Sequence, residues 1–152
     1  MYTATLLVHS WVRWAVIIAG TVALVRAIAG VSGRKPWTPA DDQAGFWFTM
    51  SLDIQVLIGL ILYVFLSPLT PSSMGDFGAA MKASGPRFWA VEHTFGIIAA
   101  VTLAHIGRAR SRRVDALRRH KVAAIFFSLA LLLILVSIPW PGTPNARPWV
   151  RW

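Results

Sequence analysis

Four apolar runs, each long enough to cross a bilayer, decide most of what this chain can become. A hydrocarbon core about 30 Å thick calls for ~20 mostly apolar residues per crossing helix. Such runs occupy residues 4–30, 43–66, 86–108 and 121–138. Inside hydrocarbon every backbone polar group needs an internal partner, so the runs are expected to be helices. The reading is an all-α fold, a four-transmembrane-helix bundle in which residues 1–152 form one integral membrane domain. Punctuation between the runs agrees with it. Gly33 and Pro36 close the first, Ser67-Pro68 closes the second, and Pro139 and Pro141 follow the fourth.

Only 14% of the residues are charged, against roughly 25% in an average soluble domain. That leaves no material for a soluble catalytic domain, and no nucleotide loop or hydrolase constellation occurs. The formal charge of +9 would suit a nucleic acid only if the basic residues shared a soluble face. Instead they flank the ends of apolar runs. Arg26, Arg34 and Lys35 border the first connection, while Arg108, Arg110, Arg112, Arg113, Arg118, Arg119 and Lys121 border the third. The opposite side carries Lys82, Arg87, Arg147 and Arg151, and Arg13 lies within the first run.

Because Lys and Arg are retained on the cytoplasmic side during insertion, both termini are expected on the outer, periplasmic side of a bacterial cytoplasmic membrane. Trp11, Trp89, Trp140, Trp149 and Trp152 then fall near the outer interface, with Trp37 and Trp47 near the inner one, as an aromatic belt requires. The pair Ala27 and Ala29 imitates a leader cleavage site. The run before it is too long for a leader and lacks a preceding basic residue, so it is read as a membrane segment.

With no cysteine in the sequence, disulfides, thiolate metal sites and covalently attached haem are excluded. Histidine is left as the ligand. His9 and His93 each lie some six residues inside the outer end of a run, ~9 Å or less below the boundary. Each crowns a stripe of small residues at helical spacing: Val16, Gly20, Ala23 and Ala27 below His9; Gly96, Ala100, Ala104 and Gly107 below His93. A weak repeat, in which each half opens on an outer-end histidine, would set the two facing across the bundle.

Two readings of the pair stand side by side. Small stripes allow close helix approach, with the histidines hydrogen-bonded across it. Alternatively, the imidazoles are the two axial ligands of one haem b, with the stripes making room for the macrocycle. Another metal or a proton relay is a third reading. Arg13, one turn below His9, and Arg87, outside His93, supply cations for propionates. Glu92 could pair with Arg13, orient a ligand ring, or form a plain interfacial ion pair.

His105 and His120 share the inner half, but a second haem between them is not expected. Twelve residues turn His105 about 120° away from His93, and His120 sits among Arg118, Arg119 and Lys121. Asp53 and Gln55 are polar residues deep in the second run, where a carboxylate costs ~2.5–3.5 kcal/mol on insertion scales. They are read either as a buried pairing of Asp53 with Arg26 or His105, or as a proton-handling site beside a quinone.

The segments Leu7-Val8-His9-Ser10-Trp11-Val12-Arg13, Ile54-Gln55-Val56-Leu57-Ile58-Gly59-Leu60, Val91-Glu92-His93 and Ser137-Ile138-Pro139-Trp140-Pro141 carry a resemblance over nearly the whole chain. It resembles small four-helix bacterial membrane proteins labelled cytochrome b and, more distantly, b561-like quinol and superoxide oxidoreductases. The resemblance implies His9 and His93 as ligands rather than His105 or His120. The distant group uses more histidines in register, so its two-haem path does not carry over.

The expected function is a membrane b-type cytochrome with one haem. It would pass electrons between a quinol and an acceptor, or serve within a larger respiratory or photosynthetic complex, with the lipid bilayer, the quinone pool and other membrane subunits as partners. The alternatives are a haem-free accessory or assembly subunit, and a small transporter or proton channel centred on Asp53.

Overall fold

The computed structural model describes residues 1–151, and among these it is all-helical. Trp152 lies outside the described residues. Four helices are long and apolar enough to cross a membrane: Tyr2–Ser32, Pro39–Leu66, Ser84–Ser111 and Ala116–Ser137. Helix α1 is Tyr2–Ser32, and α2 is Pro39–Ile61 followed by a π-helical stretch, Leu62–Leu66. Three short helices come next: α3 (Leu69–Gly75), α4 (Phe77–Lys82) and α5 (Ser84–Arg87). A second π-helical stretch, Phe88–Glu92, joins α5 to α6 (His93–Ser111), and α7 (Ala116–Ser137) completes the bundle.

The crossing helices overrun most ends of their apolar runs, and local chemistry says why. α2 starts at Pro39 rather than residue 43 because Thr38 and Asp41 form a capping box with proline in the first turn. The Thr38 N–H donates to Asp41 Oδ2 at 2.8 Å, and Arg26 reaches across from α1 to Asp41 Oδ1 at 3.0 Å. The expected basic connection, residues 108–121, shrinks to 112–115 because Arg and Lys are good helix formers once outside hydrocarbon. Between the second and third apolar runs the chain coils into the three short helices; Asp76 caps α4 by accepting from the Ala79 N–H at 2.9 Å.

α1 packs against α2 and α7, and α6 against α7 and α2, so α1 and α6 stand diagonally opposite. Without a hydrophobic drive between helices in lipid, this packing rests on close van der Waals contact. Ala23 and Ala27 of α1, Ala100 and Ala104 of α6, and Ala123 and Ala130 of α7 bury together around Phe48 and Phe127, whose rings meet edge to face at 5.5 Å.

Here the small-residue stripes do something other than make room for a macrocycle. A Cβ at Gly20 would strike Phe48, one at Gly96 the Ser137 hydroxyl, and one at Gly107 Cβ of Phe126. The stripes are filled by the neighbouring helices. Both chain ends meet at the histidine end of the bundle, where Trp11 donates to the Arg151 carbonyl and Arg13 and Trp14 donate to that of Trp149.

Candidate functional site

His9 of α1 and His93, the first residue of α6, meet in the bundle centre with ring centroids 6.5 Å apart and planes at 72°. His93 Nδ1 lies 2.7 Å from the Ser137 carbonyl oxygen. A carbonyl can only accept, so Nδ1 carries the proton and Nε2 keeps its lone pair. The carbonyl is available because Ser137 ends α7: the backbone turns extended at Ile138, and Pro141 has no N–H to offer.

His9 is held from α2. A single amide nitrogen, Gln55 Nε2, is 3.2 Å from His9 Nε2 and 3.1 Å from the His9 carbonyl oxygen. It donates to both, which fixes the neutral His9 ring with its proton on Nδ1. That Nδ1 is buried without a partner, and so are Gln55 Oε1 and Arg13 Nε. Buried polar atoms are almost always bonded, and these three are the ones that a polar group in the cavity would satisfy. All three residues line a cavity of about 150 Å³, together with His93, Tyr63 and Arg147. Gly59 lets the His9 ring approach α2, since a Cβ there would stand 3.2 Å from His9 Cε1.

The two π-helical stretches flank this cavity. A π turn bonds residues five apart and leaves a carbonyl out of the α-helical ladder. The Tyr63 hydroxyl, in the first stretch, donates to the Ala90 carbonyl in the second at 2.8 Å. The same geometry brings Arg87 and Glu92, five residues apart, into an exposed ion pair at 2.6 Å. Glu92 therefore engages neither Arg13 nor a histidine ring, and neither Arg87 nor Glu92 lines the cavity. Its cations are Arg13 and, from the tail, Arg147 and Arg151. The tail is folded back by stacking of Trp149 on Trp14 at 6.2 Å and of Arg147 over Trp89 at 4.8 Å.

Asp53 and Gln55 do not share a site. Two residues apart on a helix they differ by about 200°: Gln55 turns inward to His9, while Asp53 faces outward and meets His105 Nε2 at 2.7 Å. Arg26, the other partner considered for Asp53, pairs with Asp41. His120 is buried at the opposite end, its ring tilted against Trp37 with centroids 4.8 Å apart.

No protein family, curated protein or solved structure matches this chain. The site must be read from its own atoms. Among the described residues no three His, Asp or Glu side chains group as a metal cage, so the donor set at the cavity is two imidazoles, one with a free lone pair and a fixed tautomer.

Proposed function

We propose that this protein is a b-type cytochrome of a bacterial cytoplasmic membrane, holding one haem between His9 and His93. It exchanges single electrons with a quinol or with partner subunits of a membrane complex. The spacing of the pair carries the reading. Two imidazoles on one metal, each with a metal–nitrogen bond of about 2.0–2.1 Å, hold their ring centres roughly 6.4 Å apart; here they are 6.5 Å apart.

The remaining residues fit such a group. His93 donates from Nδ1 to a backbone carbonyl, the usual outer-shell partner that orients a ligating ring and raises its basicity. Gln55 caps the His9 Nε2 lone pair, and exchanging that bond for a metal leaves Gln55 its second bond, to the His9 carbonyl. Arg13, Arg147 and Arg151 line the cavity and would supply the cations for the two carboxylates that a porphyrin carries. At about 150 Å³ the cavity is below the ~300–1,000 Å³ of typical ligand pockets, so its lining, which includes residues of the tail and of α3, must give way to admit a macrocycle. When bound, haem supplies a one-electron couple whose potential follows its ligands and their hydrogen bonds.

The excess of Lys and Arg on the connections between α1 and α2 and between α6 and α7 supports termini on the outer side, which places the histidine pair near that face. One haem there cannot carry charge across the whole bilayer, so partner subunits belong to the proposal. The alternative, a haem-free accessory or assembly subunit, rests on the abundance of tryptophan and on the small stripes; the stripes are filled inside the bundle, and the tryptophans remain its support.

The test is a reduced-minus-oxidised optical spectrum of protein purified after expression with haem supplied. A Soret and an α-band are expected, lost in both His9→Ala and His93→Ala. Wild-type protein that folds but shows neither band overturns the proposal.

A further inference from the structure

A polar pair stands on the outer surface of the bundle, where a bilayer would surround it. Asp53 is midway along the Pro39–Leu66 span, about 20 Å from either end. It bonds His105 across the line where α2 meets α6. Both side chains are about half exposed, 47% and 48%, and neither Asp53 Oδ2 nor His105 Nδ1 bonds any other described residue. An ionisable group turned towards hydrocarbon is costly and is kept where it is used.

The same seam borders the histidine cavity further along. Leu60 of α2 and Ile98 of α6 both line that cavity and are 40% and 44% exposed. Asp53 is seven residues from Leu60, and His105 is seven from Ile98. That is two helical turns, about 10 Å, on the same face of each helix. The cavity lining at Leu60 and Ile98 and the Asp53–His105 pair therefore lie on one line down the α2–α6 seam.

We infer that this seam binds the ring of a lipid-soluble hydroquinone or its quinone, held by Asp53 and His105. Lipid headgroups stay at the interface, so a ligand at this depth must be a neutral polar ring on an apolar tail. The pair suits both oxidation states by holding one proton or two. With one, on His105 Nε2, Asp53 Oδ2 and His105 Nδ1 both accept from ring hydroxyls. With a second, taken from a ring hydroxyl at His105 Nδ1 while the Nε2 proton passes to Asp53 Oδ1, His105 Nδ1–H donates to a ring carbonyl. A polar helix from a second copy is the competing occupant, but the seam's continuity with the cavity lining at Leu60 and Ile98 favours a small ligand. The inference leans on the cytochrome reading for its redox meaning only; the binding stands on the seam.

The experiment uses the whole protein in lipid nanodiscs, photolabelled with a short-tailed azido-ubiquinone and mapped by peptide mass spectrometry. Label is expected to concentrate on residues 50–60 and 98–106 and to be suppressed by excess unlabelled decylubiquinone. Asp53→Asn and His105→Phe should each lower it about tenfold, the loss of one charge-assisted hydrogen bond. Label spread over the lipid-facing surface in proportion to exposure, without competition, overturns the inference. So does a seam shielded in wild type and opened in Asp53→Asn together with a shift from dimer to monomer, which would assign it to a second copy. The wild-type map and the competition need no variant to fold. An optical spectrum of the same samples separates the two proposals: seam labelling without haem bands refutes only the cytochrome, and haem bands without seam labelling refute only this site.

Discussion

Gly20→Ala places one methyl group where α1 meets α2 and α7. The new Cβ would stand 2.7 Å from Phe48 Cε2 and 3.1 Å from both Phe48 Cδ2 and Leu131 Cδ1. Relaxed carbon contacts need about 3.5–4.0 Å, so the ring must retreat by roughly 1 Å. It has no free space to enter: Phe48 is 0% exposed, and Phe127 meets it edge on at 89°. Overpacking of this kind costs about 1–3 kcal/mol, and a locked aromatic belongs at the upper end. Replacing glycine in a helix returns at most ~1 kcal/mol. The net expectation is a loss of roughly 1–2 kcal/mol, read as a lower denaturant midpoint with unchanged slope in detergent unfolding followed by circular dichroism. Phe48→Leu in the same chain should recover part of it. Gly75→Ala, with nothing within 4 Å of its added Cβ, should be neutral or slightly stabilising. Haem bound per folded molecule should not change in Gly20→Ala, since Gly20 is eleven residues from His9, about 16 Å along the helix. A Gly20→Ala protein that is as stable as wild type but poor in haem would refute the argument, because it would make the stripe a macrocycle's space rather than a packing face.

Tyr63→Phe strands the Ala90 carbonyl, which has only the 2.8 Å hydroxyl bond outside its helix. It should cost about 1–3 kcal/mol and speed amide exchange over residues 88–93, and unchanged exchange there would count against the link between the two π stretches. Asp41→Asn removes the charge that Arg26 and the capping box share. A stability loss of about 0.5–2 kcal/mol is expected, visible in the same unfolding assay; no loss would mean that the start of α2 is held by packing alone.

The membrane-spanning helices were legible because the period and length of an apolar run depend only on neighbours in sequence. Their overrun ends were partly legible too: Thr38, Pro39 and Asp41 spell a capping box within four residues. The site was legible in its two histidines and in Arg13, which sit on one face of one helix or at matched depth. Gln55 needed only the 200° that separates it from Asp53, a rotation that already forbids a shared pocket. Arg147 and Arg151 could not be read this way. Their place in the cavity depends on a tail that turns at Gly142, where φ is +93°, and then stacks on Trp14 and Trp89, contacts made across more than fifty residues of chain.

The π stretches account for the largest departure, and they follow from a rule that α-helical counting cannot contain. Five residues along an α-helix turn a side chain to the far face, so Arg87 and Glu92 read as independent groups, one free for a propionate and one for Arg13 or His93. A turn bonded five apart stacks them instead, and they neutralise each other at 2.6 Å. The extra residue also rotates everything after it relative to everything before, and His93 is the first residue after it. The ring therefore faces His9 and the Ser137 carbonyl because Phe88–Glu92 is wide, while the Tyr63 hydroxyl donates to the Ala90 carbonyl within the same stretch. On this account the direction of the His93 ring is set in the turn before it, and the stability of the π stretch and the orientation of His93 are a single property of the chain.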